Sequence, residues 1–479
     1  MQTVKEAIEK LFHQYSKAPV TDIEKLPQSG SDRTYFRILS KDGNYIATHN
    51  INIKENNTFI SFSRHFKQCD CPVPAIYAVN DDKSIYIQED LGDVSLLNEL
   101  ERKGYCDDVY DLFKKSLKAL AHLQISGDRG LDYEQCITST EFGKQAIVSD
   151  LLYFKYYFLD TLKIPYDKEK LINDFDALST YLSHVDHKYF MFRDFQSRNV
   201  MVKNGEVYFI DYQGGMKGAL QYDVASLLWQ AKAELSDEWK RDLLHYYMDC
   251  VANILQKPID AIRFESQYNG YVLIRLLQVL GAYGFRGLFE RKAHFLTSIP
   301  LALKNLQWFL KNSSVGIGLP EFERLLGIIT KDEIIHQFEN IKATDETPLF
   351  VTINSFSYKK GIPADATENG GGYVFDMRGI LNPGRVEEYK KMSGLDKPVK
   401  DFLEQQTDMP VYLNSVYNII DVSVTDYIKR GFKSLMINFG CTGGQHRSVY
   451  AAEALARHLR NKFKVKVQLT HTNQENWIK

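Results

Sequence analysis

The stretch Met191-Phe-Arg-Asp-Phe-Gln-Ser-Arg-Asn-Val-Met-Val-Lys-Asn-Gly-Glu-Val-Tyr-Phe-Ile-Asp-Tyr-Gln213 decides how this chain is read. It holds Asp194, then Asn199 five residues on, then Asp211 twelve residues beyond that. Apolar residues flank them: Phe190-Met191-Phe192 before the first aspartate and Val200-Met201-Val202 after the asparagine. Asn204-Gly205 lies between two apolar runs and signals a tight hairpin, because both residue types accept positive φ. Glu206-Val-Tyr-Phe-Ile210 then reads as a strand that delivers Asp211 at its end.

Three polar side chains on such a loop suit phosphoryl transfer. One aspartate orients and deprotonates an acceptor hydroxyl, while an asparagine and a second aspartate hold magnesium against the phosphates of ATP. Arg193 precedes Asp194 as the arginine of an H-R-D loop does, with Phe192 in the place of the histidine. Further on, Gly218-Ala-Leu-Gln-Tyr-Asp223-Val-Ala-Ser-Leu-Leu228 sets another acid just ahead of a helix.

The rest of the composition frames that site. A chain of 479 residues exceeds what one core organises, so two or three domains are expected. Hydrophobic residues at 44% and charged residues at 25% are ordinary for a soluble globular protein. The net charge of -2 gives no global pull toward nucleic acid or an anionic membrane. The N-terminal MQTVKEAIEKLFHQY reads as an amphipathic helix rather than a signal peptide, and no apolar run of membrane-spanning length is expected. The six cysteines (69, 71, 106, 136, 250 and 441) show neither a disulfide framework nor a zinc pattern. Cytoplasmic location is the expectation, with no membrane partner; a homo-oligomer is left open.

Residues 34–38 and 45–48 alternate as strands around the turn Asp42-Gly43, followed by a helix near 57–68 and a strand at 84–88. That order suits a small nucleotide-clamping lobe. Residues 95–185 and 216–312 are helical, and the aromatic run Leu151-Leu-Tyr-Phe-Lys-Tyr-Tyr-Phe158 reads first as helix core, with its rings as candidates for stacking on a sugar. The expected layout is a first domain over 1–312, with a small lobe over about 1–92 and a helical lobe over about 93–312. A linker over 313–346 with a short helical connector follows, then a second domain over 347–479.

Over about residues 1–312 the chain resembles the aminoglycoside phosphotransferase family of small-molecule kinases. Within it, the resemblance is greatest to the cell-wall-recycling anomeric kinases of N-acetylmuramate and N-acetylglucosamine. It rests on Gly30-Ser-Asp-Arg-Thr-Tyr-Phe-Arg37, Gln88-Glu-Asp-Leu-Gly-Asp93, Arg193-Asp-Phe-Gln-Ser-Arg-Asn199, Tyr222-Asp-Val-Ala-Ser-Leu-Leu228 and Arg275-Leu-Leu-Gln-Val-Leu-Gly281. The resemblance implies Asp194 and Arg193 as catalytic, Asn199 and Asp211 as magnesium ligands, and Ser29, Gly30, Ser31 and Arg33 around the ATP phosphates. It sets Glu89 and Leu91 where backbone groups bind adenine. The chain departs from the family at the strand lysine that pairs with the phosphates, because Ile46-Ala-Thr-His49 puts a histidine there. Arg33 and Arg37 are the nearest positive charges able to replace it.

The second domain opens with the apolar Leu349-Phe-Val-Thr-Ile-Asn354 and closes with strand 434–439, loop 440–447, helix 448–463 and strand 464–469. Strand–loop–helix–strand is a crossover unit of an α/β domain. The loop Gly440-Cys-Thr-Gly-Gly-Gln-His-Arg447 meets a helix N-terminus, where small residues expose backbone N–H groups and the helix dipole favours an anion. Cys441 and Arg447 also have the C-x5-R spacing of cysteine phosphatases. The usual histidine before the cysteine is replaced by Gly440 and no acid aspartate is identifiable, so catalysis by Cys441 is not the expectation.

Residues 347–471 resemble the C-terminal domain of the RNase adapter protein RapZ. The matching segments are Ser355-Phe-Ser-Tyr-Lys-Lys-Gly361, Tyr373-Val-Phe-Asp-Met-Arg378, Asn382-Pro383, Ser393-Gly-Leu-Asp-Lys-Pro398 and the loop running on to Tyr450. The resemblance implies a glucosamine-6-phosphate-like ligand held by Cys441, Thr442, Gly443, Gly444, His446 and Arg447, with Lys360 where the family carries a histidine. The family's basic RNA-binding tail is replaced by a nearly uncharged Thr470-His-Thr-Asn-Gln-Glu-Asn-Trp-Ile-Lys479, so RNA is not an expected partner.

The expected fold class is an α+β two-lobed protein-kinase-like domain followed by an α/β domain with a partly parallel sheet. The expected function is an ATP- and Mg2+-dependent amino-sugar kinase carrying a phosphosugar sensor. The alternative is a non-catalytic adapter with a degenerate kinase lobe.

Overall fold

The hairpin at Asn204-Gly205 forms as its sequence demands: both residues have positive φ (54° and 76°) and close β7 (Val200–Lys203) onto β8 (Glu206–Phe209). In this computed structural model the described residues are 2–26, 33–185, 188–289, 293–296, 298–339, 342–365, 367 and 372–478. They divide into two compact units, one built from residues 1–285 and 298–336, the other from 286–297 and 337–479.

The small lobe of the first unit is a five-stranded antiparallel sheet. Its strands are β1 (Val20–Lys25), β2 (Thr34–Ser40), β3 (Gly43–His49), β4 (Ile76–Val79) and β5 (Ile85–Glu89), in the order β1-β2-β3-β5-β4. Strands β1 and β4 have no counterpart in the sequence reading. On one face, Ile8, Leu11 and Phe12 of the helix Gln2–Tyr15 pack against Phe36, Ile38, Ala47, Ile85 and Ile87. Burying one such large side chain contributes about 1.5–3 kcal/mol, so the amphipathic N-terminal helix is an integral part of the lobe. The helix Ile53–Gln68 starts at Asn52, whose side chain accepts the Glu55 N–H. This cap fixes where Glu55 stands.

The large lobe is helical. Two short ribbons carry the loop quoted above: β6 (Lys188–Met191) pairs with β9 (Met216–Ala219), and β7 pairs with β8. The long helix Ala261–Tyr283 runs through this lobe. With its continuation to Phe289 it is apolar and long enough to cross a membrane by length and composition, which the sequence reading did not expect. More than half of that apolar window is buried inside the protein, as in a core helix.

The stretch expected as a linker holds two helices, Pro320–Ile329 and Asp332–Phe338. The first is packed into the unit. Phe322 is fully buried against Phe175, and its N–H donates to Asp174.

The second unit contains β10 (Phe350–Ser357), β11 (Gly372–Asp376), β12 (Ser434–Cys441) and β13 (Lys466–His471) in the order β11-β12-β10-β13. Every pair in this sheet is parallel, so the expected partly parallel sheet is wholly so. All four strands therefore end at one edge, which is where parallel sheets form binding crevices. Helices Met409–Arg430 and Arg447–Phe463 bury Leu413, Val416, Ile420, Leu455 and Leu459 in its core.

Candidate functional sites

Asp194 begins the loop between β6 and β7. The loop is anchored from behind by Asp223, which is fully buried and accepts the N–H groups of Phe192 (2.7 Å) and Arg193 (3.0 Å) and the amide of Gln124 (2.8 Å). Burial pushes the Asp223 carboxyl up to about 7 in spite of those donors. Arg193, grouped with Asp194 as catalytic by sequence, stands behind the loop. Its guanidinium makes a two-pronged bond to Asp150 (2.7 and 2.9 Å), reaches the Tyr222 hydroxyl (3.0 Å) and stacks on Phe142. With φ at 79° it turns the chain so that Asp194 faces outward, which makes it a positioning residue.

The Asp194 carboxylate accepts from Gln196 and from Arg198, and Arg275 lies 3.7 Å away. Asn199 is buried and donates its amide to the Asp194 carbonyl (2.9 Å), so its side-chain oxygen remains the group for other partners. The Asn199 carbonyl in turn accepts the Ile210 N–H (3.1 Å), which ties the loop to the end of β8 and so to Asp211. Asp194, Asn199 and Asp211 thus share one connected framework.

Asp211 has φ at 71° and meets two donors, Arg33 (2.6 Å) and Gln213 (2.9 Å). Burial alone raises its carboxyl, but Arg33 and Gln213 outweigh burial and hold it below the usual carboxylate range. Arg33 also lies 3.4 Å from Glu55 on the Ile53–Gln68 helix. The charge bridging that helix to Asp211 therefore comes from Arg33, at the start of β2, and not from the strand position held by His49. Arg37, the other candidate, is committed to Asp90 (2.7 Å) and Asp93 (2.7 Å) beside the segment joining the lobes. A carboxylate and an amide oxygen with open positions fit Mg2+, which takes few protein ligands and completes its shell from phosphate and water.

Ser29, Gly30 and Ser31 lie outside the described residues. Glu89 donates its N–H to the Ala75 carbonyl (2.9 Å), so that amide is committed within the small lobe, and Leu91 lies buried just beyond it. In the aromatic helix, Phe154 is core, stacked on Phe158, whereas Tyr153 and Tyr157 cluster with Phe285. Arg275 was missed as a site residue. An arginine inside the apolar Val272-Leu-Ile-Arg-Leu-Leu277 is the signal that could have found it, since a buried charge needs a buried partner.

In the second unit, β12 ends at Cys441 and the helix Arg447–Phe463 begins six residues later. The intervening loop is turned by outside donors that take its carbonyls. Ser357 donates to Thr442 O (2.8 Å), Asn473 to Gly443 O (2.8 Å) and the Trp477 indole to Gly444 O (2.8 Å). Because the C=O and N–H of one trans peptide point in opposite directions, these outward carbonyls turn the amides that follow them inward, as in an anion nest, and the Gly444 N–H there meets the Cys441 sulfur (3.2 Å). Gly444 has φ at 62°, and a Cβ there would lie 2.9 Å from the Ser357 nitrogen, so this position requires glycine.

Arg447 is buried and anchored through Nη1 to the carbonyls of Arg378 (3.0 Å) and Ile380 (2.6 Å). His446 points its Nε2 at the Tyr389 carbonyl (2.9 Å), and burial lowers its pKa, so it serves the frame of the loop rather than its mouth. Lys360 is exposed in the turn after β10, at the same edge of the sheet. Gln445, passed over by sequence, joins the loop to the tail: it donates to Met392 O (2.8 Å) and Ile478 O (3.1 Å) and accepts the Ile478 N–H (3.0 Å).

Residues 22–253 match the phosphotransferase enzyme family, and residues 349–475 match the RapZ C-terminal domain. A nucleotide-binding protein of Fervidobacterium nodosum is 32% identical over 285 residues, which is 54% of this chain and 96% of that protein. One of Glaesserella parasuis is 40% identical over 141 residues, 29% of this chain and 47% of that protein. Apart from the Fervidobacterium protein, the chain spans about half the length of such relatives, as with the Endomicrobium trichonymphae protein at 46%. Among solved structures, a putative aminoglycoside phosphotransferase from Ralstonia eutropha is 14% identical, covering 64% of this chain and 98% of its own, with a TM-score of 0.46. Choline kinase LicA from Streptococcus pneumoniae is 15% identical, covering 64% and 100%, with a TM-score of 0.43. The chain belongs to the family of the Fervidobacterium nucleotide-binding protein, and it joins a phosphotransferase enzyme family domain to a RapZ C-terminal domain.

Proposed function

We propose that the first domain transfers the γ-phosphoryl group of ATP to a hydroxyl of an amino sugar, the anomeric hydroxyl by its resemblance. The second domain senses a sugar phosphate of the glucosamine-6-phosphate type and adjusts that transfer. The observation that carries the kinase reading is the connected framework of Asp194, Asn199 and Asp211. Asp194, at the mouth of the loop and about a third exposed, accepts the proton of the attacking hydroxyl. Asn199 and Asp211 would hold Mg2+, which neutralises charge on the phosphates when bound. Arg33 takes the part of the absent strand lysine, since it already spans Glu55 and Asp211. Arg275 steadies the Asp194 carboxylate from the buried side.

A screen of amino sugars with labelled ATP tests the reading. Transfer of label to an amino sugar is expected; ATP–magnesium binding with no transfer to any of them would sink it. That outcome would favour a non-catalytic sensor, the reading supported by the ion pair in which Arg33 occupies Asp211. Coupling of the two domains predicts that glucosamine-6-phosphate changes the transfer rate, and an unchanged rate in its presence refutes the coupling.

A further inference from the structure

We propose that the loop 440–447 is also a nucleophilic site, in which Cys441 attacks phosphate monoesters with acidic leaving groups and hydrolyses them through a phosphocysteine. The proposal rests on the reading of this loop as a phosphate cradle. The sequence carries Cys441, then Arg447 six positions on, then Ser448, and the fold sets the Ser448 hydroxyl against the Cys441 sulfur. Cys441 is buried at the end of β12. Its Sγ accepts the Gly444 N–H at 3.2 Å and lies 3.1 Å from the Ser448 hydroxyl in the first turn of the following helix. A sulfur that accepts a backbone amide beside a helix N-terminus is in the setting where a cysteine works as a nucleophile.

Arg447 supplies the second, independent observation. It is only 5% exposed; among the described residues both of its hydrogen bonds run from Nη1 and its buried Nε has no partner. Burial lowers the Arg447 pKa, and the neighbouring Cys441 is the largest of the interactions that oppose it. A buried donor left open is costly unless something fills it, and a phosphoryl group resting on the loop amides would.

The steps balance without an added reactant. Cys441 gives its thiol proton to water, its thiolate attacks phosphorus, the P–S bond forms, and the ester P–O bond breaks with its electron pair leaving on oxygen. Asp376 stands opposite Gly440 on the adjacent strand, but its two-pronged bond to Arg378 holds it ionised, below the usual carboxylate range. It therefore donates no proton, and the departing oxygen takes one from water, which is why acidic leaving groups are preferred. Water then attacks phosphorus, the P–S bond breaks with its pair returning to sulfur, and dihydrogen phosphate departs with both protons of that water.

The test uses the full chain without ATP. The wild type is expected to bind tungstate in calorimetry, to release p-nitrophenolate from p-nitrophenyl phosphate, and to yield an acid-trapped phosphopeptide containing Cys441. Cys441→Ser is expected to bind tungstate but to lose both phenolate release and the trapped adduct. Arg447→Ala is expected to slow release about 10²–10³-fold, the cost of removing one donor to developing charge. Tungstate binding with no phenolate release by the wild type, or unchanged release by Cys441→Ser, overturns the nucleophile and leaves the cradle standing. Failure to bind tungstate overturns both.

Discussion

The two candidate anion sites of this chain are built from different materials. The first is made of side chains: Asp194 and Asp211, each already paired, the one with Gln196 and Arg198, the other with Arg33 and Gln213. The second is made of backbone, a loop whose carbonyls are tied outward by Ser357, Asn473 and Trp477 and whose buried arginine has an Nε without a partner among the described residues. A site of paired charges must exchange partners to accept a ligand, and it depends on pH and on single side chains. A site of oriented amides is ready beforehand, because the groups that orient it do not have to move to admit a ligand. The contrast suits a site that rearranges around its ligand and one that receives a phosphoryl group as it stands.

The largest expected effect tests the side-chain site at its centre. Asp194→Asn removes the proton acceptor but keeps the shape, and the kinase rate is expected to fall about 10²–10⁴-fold with nucleotide binding retained. Measuring transfer to the amino sugar found in the screen, together with ADP binding, checks both halves. A wild-type rate would move the acceptor role elsewhere.

Next is the anchor behind that loop. The folded Asp223 carboxyl sits at about 7 through burial, against about 4 in an unfolded chain. The folded state then holds a proton that the unfolded state releases between those values. Its contribution is complete below about pH 4 and is lost as pH rises through about 7. The stability of wild type minus that of Asp223→Asn is therefore expected to fall across this window by a few kcal/mol, at about 1.4 kcal/mol per pKa unit. Urea unfolding of both proteins at pH 4.5 and 7.5 (chosen to bracket about one such window) reads the difference; a difference that rises with pH refutes a proton held on Asp223.

Much of this contrast was legible from residue order. The spacing of Asp194, Asn199 and Asp211 survives folding because it is local: a loop, a hairpin closed by Asn204-Gly205, and a strand end. The loop at 440–447 was legible for the same reason, since glycines between an apolar strand and a helix leave few conformations. What escaped depends on distant partners. Strand β1 mixes Thr21, Asp22 and Glu24 with few apolar residues and forms because β2 offers it an edge. Arg193 reads as part of an H-R-D loop, yet its partner Asp150 lies 43 residues upstream and turns it away. The tail, judged by its lack of charge, contributes through Asn473 and Trp477, whose value lies in hydrogen bonds to loop carbonyls.

Arg33 separates two ways of losing the strand lysine. If it stands in for that lysine, Arg33→Ala costs about 10²-fold in kcat/KM, in line with removal of one charged donor. If the Arg33–Asp211 pair instead blocks the metal ligands, the same variant binds ATP–magnesium more tightly than the wild type. Titration of the nucleotide alongside the rate decides between a replaced and a retired catalytic cation, because the two readings move binding in opposite directions.

The smallest effect falls on the backbone site, and this is what the contrast requires. Trp477→Phe deletes one hydrogen bond to the Gly444 carbonyl and keeps the ring that lies against His471. One such bond is worth about 0.5–1.5 kcal/mol, so affinity for glucosamine-6-phosphate should weaken by only about 3–10-fold. The kinase rate without that ligand should be unchanged. A nest held by three separate carbonyl anchors tolerates the loss of one, whereas the side-chain site has no second group to replace Asp194. Calorimetric titration of the variant measures this directly: loss of all binding would mean that the tail, rather than the loop's own glycines, orients the amides.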